Sequence, residues 1–256
     1  MTIRPRGSHT ALDRVRDAIV SCERCSRLRA YCEQVARDKK AAHRHETYWG
    51  KPVPGFGDPR ARILVLGLAP AAHGANRTGR VFTGDGIGAS GDFLVSALNR
   101  AGYANITTSQ RIDDGLRLRD VYIAAAVRCA PPDNKPLPEE IVACADHLAG
   151  EVAVLPRLRI VVALGKIAWD AWLAHLARSG LAIRPRPTFS HGGVCDVTTA
   201  LATPGGSVPI RRRIPRFLVG AFHPSRQNTN TGKLTAAMYD DVFSRLDSLL
   251  NAAPDA

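Results

Sequence analysis

The sequence predicts an α/β protein built on a doubly wound parallel sheet. Four apolar runs lack the polar alternation of half-exposed strands, which is typical of strands buried on both faces. Segments with apolar residues at helical spacing separate these runs, and strands that alternate with helices indicate parallel pairing. Polar residues cluster directly after the runs, so we expect them at one edge of the sheet, where such sheets bind ligands. The runs are 63–66, 121–127, 160–164 and 217–222.

An N-terminal extension precedes the first strand. Residues 11–37 have apolar positions at helical spacing around Cys22 and Cys25, whereas residues 38–61 are charged and rich in Pro and Gly, which favours a loop. We therefore divide the chain into an extension, residues 1–61, and a single α/β domain, residues 62–256.

Helices are expected after the strands. The second of them has a favoured start, because proline is common at the first helical position and Glu139 and Glu140 lie in the first turn, where the helix dipole favours acidic side chains. Two further segments, 104–119 and 184–215, lack periodicity and are predicted to be loops. The helices begin near Ser90, Pro138, Lys166 and Leu234.

The charge balance favours a nucleic-acid partner. The formal net charge is +12 at pH 7, and 29 of the 35 basic side chains are Arg. Arginine binds phosphate through a planar fork and stacks on bases, which lysine does less well. Codon bias in a GC-rich genome would also enrich Arg, and composition alone leaves both explanations open.

Membrane contact is not expected. No apolar stretch approaches the roughly 20 residues that span a bilayer, and the start, MTIRPRGSH, lacks the apolar core of a secretory signal. We expect a monomer in a reducing compartment, a bacterial cytoplasm, associated with the nucleoid. In such a compartment the six Cys are not read first as disulfides.

Four cysteines are candidate metal ligands. A Cys-x-x-Cys pair can bind a metal from a tight turn, but zinc ribbons usually supply a second close pair, and here the second pair is separated by fourteen residues. A four-iron cluster tolerates more dispersed ligands. Buried thiols without a ligand are the alternative, which we favour for Cys32 and Cys195. The four candidates are Cys22, Cys25, Cys129 and Cys144.

The loop after the first strand is the strongest candidate site. It opens with small residues from Gly67 to Pro70, which let the backbone pass close to a ligand. Two cations, one aromatic ring and one carboxylate follow, at Arg77, Arg80, Phe82 and Asp85.

Three motifs, together with the Cys-x-x-Cys pair, resemble the uracil-DNA glycosylase superfamily, specifically the family-five (type B) enzymes. They are GLAPAAHGANRTGRVFTGD at 67–85, AAVRCAPPDNKP at 125–136 and HPSRQNTNTGKLT at 223–235. They occur in order at the ends of strands one, two and four, and the likeness spans residues 22–250.

The resemblance implies a three-layer α/β/α sandwich with a central four-stranded parallel sheet. It also implies a structural 4Fe-4S cluster held by Cys22, Cys25, Cys129 and Cys144. The implied activity is that of a monofunctional DNA glycosylase of base-excision repair, which flips a damaged base out of DNA and hydrolyses its N-glycosidic bond. Uracil, hypoxanthine and ethenocytosine are the expected bases, in double-stranded and also single-stranded DNA.

The expected base pocket is apolar. Related cluster-bearing enzymes carry an acidic residue where Leu68 stands and an Asn that reads uracil where Ala125 stands. Loss of the Asn donor and acceptor should widen the range of accepted bases. Phe82 is expected to stack on the extruded base. The pocket residues are Gly67, Leu68, Ala69, Pro70, Phe82 and Ala125.

Three residues are expected to carry the reaction. Hydrolysis of a glycosidic bond needs a negative group near the sugar, a positioned water and donors toward the leaving base. Asp85 is assigned to the water and the sugar cation, although it could instead cap a helix. Asn134 is a second candidate to orient the water, or else a turn residue. His223 is expected to donate to the leaving base.

The remaining candidates are expected to contact DNA. A base inside a duplex is unreachable, so it must be flipped out, and phosphate contacts would set the register of the strand. Gln227, preceded by Arg226, is a candidate to insert into the DNA. A silent iron–sulfur protein that binds damaged DNA is the alternative function, which the presence of Asp85, Asn134 and His223 argues against. The DNA-contact candidates are Arg77, Arg80, Ser225, Arg226, Gln227, Asn228 and Lys233.

Overall fold

A computed structural model describes residues 10–201 and 214–252. The first nine residues and the stretch 202–213 of the predicted 184–215 loop lie outside the described residues. The strands are β1 (Phe56–Gly57), β2 (Ile63–Gly67), β3 (Val121–Ala125), β4 (Ile160–Leu164), β5 (Val194–Asp196) and β6 (Phe217–Ala221). The α-helices are α1 (Ala11–Val20), α2 (Ser26–Asp38), α3 (Ala75–Thr78), α4 (Ser90–Arg100), α5 (Pro138–Ala153), α6 (Lys166–Arg178), α7 (Val197–Leu201), α8 (Arg226–Asn230), α9 (Ala236–Ser244) and α10 (Leu246–Ala252).

The four predicted buried strands form a parallel sheet. Their order is β3-β2-β4-β6, with Ile63 level with both Val121 on one side and Ile160 on the other. Every residue of these strands is buried. Parallel strands in this register end at one edge, so the loops after Gly67 and Ala125 start as neighbours.

Helices cover both faces of the sheet, which confirms the three-layer sandwich. Alternate strand residues point to opposite faces. Ile63 and Val65 pack with the α4 and α9 side chains, whereas Leu64 and Leu66 pack with α5 and α6, including the buried Trp169. The two apolar cores therefore sit on either side of one sheet.

The sheet has six strands rather than four. The short strands β1 and β5 pair antiparallel with β3 and β6 at the two edges. Both lie in segments that we predicted as loops, 38–61 and 184–215. Strands of two and three residues show no periodicity, and they form because a neighbouring strand offers them backbone partners.

Two predicted helical segments are each divided. Residues 11–37 form α1 and α2, and the break falls at the Cys-x-x-Cys turn. The predicted final helix, 234–250, is α9 and α10 with a break at Arg245. The helices α4, α5 and α6 occur where the sequence predicts them.

Among the described residues, no helix has both the length and the apolar character needed to cross a membrane.

A buried ion pair ties the extension to the sheet. Arg128 and Glu151 are each 1% exposed, and the Arg128 guanidinium donates to Glu151 at 2.7 Å. The other Glu151 oxygen accepts from the Tyr122 hydroxyl at 3.0 Å and from the Gly55 amide at 2.8 Å. One carboxylate on α5 thus holds β3, the loop after it and the start of β1.

Replacing Glu151 should therefore destabilise the protein strongly. Glu151→Ala leaves the Arg128 charge buried without its partner, and we expect the free energy of unfolding to fall by about 3–5 kcal/mol. Glu139→Ala on the same helix removes an exposed carboxylate and should cost less than about 1 kcal/mol. Urea denaturation of the two variants measures both values, and equal effects would contradict this role of the pair.

Candidate active site

A cavity of about 850 Å³ opens at the carboxyl edge of the parallel strands. Loops that follow β2, β3 and β6 line it. The three side chains that we expected to carry the reaction, Asp85, Asn134 and His223, all reach this cavity. The strand register therefore brings together residues that are up to 138 positions apart in the sequence.

Asp85 sits tightly against the backbone of the first loop. A Cβ placed on Gly74 would lie 1.7 Å from Asp85 Oδ1, so only glycine leaves room for the carboxylate. This oxygen is buried and accepts no hydrogen bond from the described residues. Burial raises the pKa of Asp85 to about 6, although the nearby Arg226 and Arg77 oppose the shift. An unsatisfied carboxylate oxygen at a cavity wall is suited to accept from a water molecule.

Arg77 and Arg80 brace this loop from within. Arg77 is buried, donates to the carbonyl of Gly84 at 2.7 Å and pairs with Glu46. Arg80 is also buried and donates to Asp114 at 2.6 Å. These positions favour a structural role over the phosphate contacts that we expected.

Phe82 presents its ring to the cavity from a strained backbone. Its φ of 50° is left-handed, which is unusual for a bulky residue and is common at functional sites. The ring lies over the end of β2, where a Cβ on Gly67 would approach it to 2.8 Å. Its centroid is 5.9 Å from that of His223, and the two planes meet at 33°. Gly67, which we expected in the base pocket, is not among the lining residues and instead makes room for the Phe82 ring. That ring lines the cavity and offers a face to a planar ligand.

His223 follows β6 and is fixed through its backbone. The Asn228 side-chain amide donates to the His223 carbonyl at 2.8 Å. Burial lowers the pKa of His223 to about 4, so the imidazole is neutral near pH 7 and carries one N–H. Asn228, which we expected to contact DNA, secures this loop through that hydrogen bond.

Asn134 is aimed by two consecutive left-handed residues. Asp133 has a φ of 53° and Asn134 a φ of 57°, a conformation that Asp and Asn tolerate better than most residues. The Asn134 side chain is exposed at the cavity and bonds to no other described residue. Its amide is therefore available to a ligand or a water molecule.

The walls between these groups are mainly apolar. Leu68, Ala69 and Pro70 follow β2, and Ala125 closes β3. None of the four side chains can donate or accept a hydrogen bond. This part of the cavity can select a planar group by shape more than by polar contacts.

The third motif forms the rim. The Ser225 hydroxyl caps α8 by accepting from the backbone amide of Asn228 at 3.3 Å. Arg226 and Gln227 are exposed beside the cavity, and Arg226 donates to the Asp85 carbonyl at 3.2 Å. Lys233 is exposed with its ammonium group 5.4 Å from the centre of the Phe222 ring, outside the cavity lining.

The sequence analysis missed several residues that line the cavity. Four of them have a basic or phenolic side chain and belong to α2, to the turn after it and to the first motif. The basic run 39–45 was the signal that could have found Lys40 and His43, although it was set aside as part of a loop, and no comparable signal marked Tyr31 or His73. The four residues are Tyr31, Lys40, His43 and His73.

The cysteines converge next to the cavity. Cys129 and Cys144 are buried in a small core with Cys32 and Leu28, and Cys25 packs against it. Burial, together with the nearby Cys144, Cys129 and Cys22, raises the pKa of Cys25 to about 11, so the four thiols are neighbours.

A single metal ion does not fit this arrangement. Within residues 10–201 and 214–252, no three His, Cys, Asp or Glu side chains have the spacing that one ion requires. A four-iron cluster is bulkier, so its ligands stand farther apart than the about 4 Å between two sulfurs on one zinc ion. A donor set of thiols alone is the set that iron–sulfur clusters prefer. Cys195, in β5, and Cys32 lie outside the candidate set.

Comparison with known proteins adds independent information. A family model described as the uracil DNA glycosylase superfamily matches residues 54–247. A Type-5 uracil-DNA glycosylase of Thermus thermophilus is 50% identical over 225 residues, which cover 88% of this chain and 92% of that protein. One of Mycobacterium tuberculosis is 44% identical over 235 residues, 91% of this chain and 80% of that protein. One of Pyrobaculum aerophilum is 41% identical over 243 residues, 94% and 93% of the two chains.

The close approach of Gly74 to Asp85 can be tested directly. In Gly74→Ala the new methyl group must displace the carboxylate from its buried position, so the pKa of Asp85 should fall from about 6 toward the ordinary value for Asp. Gly150→Ala is a matched control, since its Cβ would meet only Val15 at 3.5 Å. NMR titration of the Asp85 carboxyl carbon measures the shift, and an unchanged pKa in Gly74→Ala would contradict the packing.

Proposed function

The chain belongs to the uracil-DNA glycosylase superfamily, and on that premise we propose that it hydrolyses the N-glycosidic bond of uracil in DNA. The observation that carries the proposal is the meeting of Asp85, Asn134 and His223 in one cavity beside the ring of Phe82. A DNA-binding protein without activity has no use for a buried carboxylate and a neutral imidazole facing one cavity. The alternative of a silent damage sensor is therefore the weaker one.

The three groups match the charges of the reaction. As the bond breaks, the sugar gains positive charge and the base leaves as an anion. The ionised Asp85 stabilises the sugar and holds the attacking water, with the Asn134 amide as the second contact to that water. The neutral His223 donates its N–H to the leaving base and stabilises the charge that develops there.

The apolar walls favour a broad range of bases. A site that reads uracil through a side-chain amide would reject other bases, because its polar groups would be left unpaired. Here Leu68 and Ala125 offer no such groups, and stacking on Phe82 is open to any planar base. We include hypoxanthine and ethenocytosine among the substrates for this reason.

Binding requires a base outside the duplex. Flipping a nucleotide costs a few kcal/mol and leaves a gap in the stack. Arg226 and Gln227 stand at the rim, where one of them can fill that gap. The proposed enzyme acts as a monomer in base-excision repair, in the cytoplasm with the nucleoid, on duplex and also single-stranded DNA. The motifs supply Asp, Asn and His rather than a lysine nucleophile, in keeping with a monofunctional enzyme.

A 4Fe-4S cluster is part of the proposal. Cys22, Cys25, Cys129 and Cys144 would hold it, and it would join the start of α2 to the loop after β3 and to α5. Its contribution would be structural, since it would fix the extension against the domain that carries the cavity.

The activity is tested with a panel of duplexes that each contain one uracil, hypoxanthine or ethenocytosine. We expect alkali-labile abasic sites after incubation with the protein and none in an undamaged duplex. Asp85→Asn keeps the shape of the side chain without its charge, so base release should fall by about 10²–10⁴-fold while affinity for DNA is retained. Absence of abasic sites on every duplex would overturn the proposal, and equal loss of affinity would assign Asp85 a structural role.

The pH dependence follows from the raised pKa of Asp85. The carboxylate is the active form, so its protonation below about pH 6 should lower the single-turnover rate by about tenfold per pH unit. The rate should level off above pH 6, because His223 is already neutral there. A rate that stays constant down to about pH 4, where an ordinary Asp titrates, would contradict this role for the buried carboxylate.

The cluster is tested by colour and metal content. Protein prepared without air should be brown and contain about four iron atoms per chain. Cys25→Ser should lose iron, whereas Cys195→Ser should retain it. A colourless sample that contains zinc would overturn the assignment.

A further inference from the structure

The cavity lining includes basic side chains outside the reacting groups. They are Lys40, His43 and His73, and the ring of Tyr31 from α2 lines the cavity as well. We call residues 39–45 the basic ledge. It includes a short 3₁₀ turn, Ala41–His43, and joins the extension to the edge of the cavity.

The ledge is fixed in place by the first motif. The Lys40 amide donates to the Tyr48 hydroxyl at 3.3 Å, and that hydroxyl contacts His73 Nδ1 at 3.2 Å. His43 Nδ1 contacts Glu46 at 2.7 Å, and Glu46 pairs with the buried Arg77. The ledge and the loop that carries Asp85 are therefore connected through Arg77.

The ledge has an excess of positive charge with one free ammonium group. Five of its seven residues are Lys, Arg or His and none is acidic. Glu46, the nearest carboxylate along the chain, already faces Arg77 and His43. The exposed Lys40 ammonium group bonds to none of the described side chains or carbonyls. A cation at a cavity mouth without a protein partner is suited to a phosphate.

We propose that the basic ledge, through Lys40, contacts the phosphate backbone of the DNA strand whose base enters the cavity. The inference rests on the proposed function, because a flipped nucleotide brings its flanking phosphates to the mouth of the pocket. Arg226 of the third motif and Lys40 of the ledge both line the cavity, so the ledge adds a second cation to its lining. The contact positions the strand and reads no base.

The test measures how binding depends on salt. Wild-type protein and variants are titrated onto a duplex with a stable abasic analogue, at several KCl concentrations, by fluorescence anisotropy. The slope of log K against log salt is negative, and each lost phosphate contact lowers its magnitude by about 0.9. We expect that decrease in Lys40→Ala and no change in Lys51→Ala, which removes the same charge from an exposed position outside the cavity lining.

Neutral methylphosphonate linkages then locate the contact. They replace one phosphate at a time around the target nucleotide, and one of them should weaken binding by the wild-type protein but not by Lys40→Ala. Equal salt slopes for Lys40→Ala and the wild type would overturn the proposed phosphate contact. So would equal sensitivity of the two proteins to every neutral linkage. Neither outcome depends on base release. The phosphate contact of Lys40 can therefore be overturned while the proposed activity stands, and the proposed activity can be overturned while the contact stands.

An independent observation concerns His191, in the segment that precedes β5. The backbone amide of Phe222, the residue before His223, donates to His191 Nδ1 at 3.0 Å. The opposite nitrogen, Nε2, lies 3.3 Å from the Met238 carbonyl, to which it donates in this tautomer. The Tyr239 hydroxyl donates to the Phe222 carbonyl at 2.7 Å. Side chains from two other segments thus hold both peptide groups of Phe222.

This contact takes the place of a missing strand pair. The neighbouring backbone bonds, Gly192 to Gly220 and Gly220 to Gly193, continue the edge of the sheet beside β6. Beyond Ala221 that pairing stops, and the imidazole supplies the acceptor. We infer that His191 is a positioning residue, which sets the place of His223 through the Phe222 peptide.

Two substitutions separate this role from simple packing. Asn places its oxygen at the position of Nδ1, and Gln places its amide nitrogen at the position of Nε2, while both remove the ring. The single-turnover rate of base release from the uracil duplex should stay within about threefold of the wild-type rate in His191→Asn and fall by about tenfold or more in His191→Gln. The Kd for the duplex should be similar in both variants. This inference rests on the proposed function, and a wild-type protein that releases no uracil would contradict that function. With an active wild type, equal rates for the two variants, or a slower His191→Asn, would overturn the inference about His191. The salt dependence measured for Lys40→Ala neither supports nor contradicts this role of His191.

Discussion

The parallel register of four strands is the constraint on which the candidate site depends. Because β3, β2, β4 and β6 run in one direction and are level with one another, the loops that follow them emerge at one edge. The side chains that face the cavity come from segments far apart in sequence, and no local contact could bring them together. The two apolar cores on either side of the sheet keep that edge rigid. A site of this kind needs a rigid frame, since small misplacements of reacting groups are costly.

Burial sets the charge states within the cavity. The same removal from water raises the pKa of the carboxyl group of Asp85 and lowers that of the imidazole of His223, since in each case it disfavours the charged form. The result is a carboxylate that is ionised near neutral pH beside an imidazole that is not. That pairing suits a reaction in which one end of a bond becomes positive and the other negative. Cations at the rim and inside the loop limit the shift of Asp85 and so keep it ionised.

Both ends of α2 lie close to the cavity-bearing domain. At its start, α2 follows Cys25, which lies against the small core that holds Cys129 and Cys144. At its end, α2 leads into the basic ledge at the cavity. Between the two, Tyr31 reaches the cavity as well. Cys25 and the basic ledge thus lie at opposite ends of one helix, so a displacement of the start of α2 would also move the ledge.

The sequence by itself determined the four buried strands, the helices α4, α5 and α6, the motifs at the strand ends and part of the cavity lining, including Asp85, Asn134 and His223. Those features follow from local apolar patterns and from short motifs whose chemistry is carried by residue type. The sequence did not reveal the edge strands or the burial of Arg77 and Arg80, which we expected to contact phosphates.

Only the tertiary structure decided those points, together with the positions of Lys40 and His191. A side chain's partner across the fold, and the solvent it loses there, are not encoded in its immediate neighbours along the chain. Arg77 is a brace because Glu46 and the Gly84 carbonyl surround it, and Lys40 is free because no carboxylate among the described residues reaches its ammonium group. The local sequence pattern determines whether a segment forms a helix or a strand, and long-range contacts determine the role of each polar side chain.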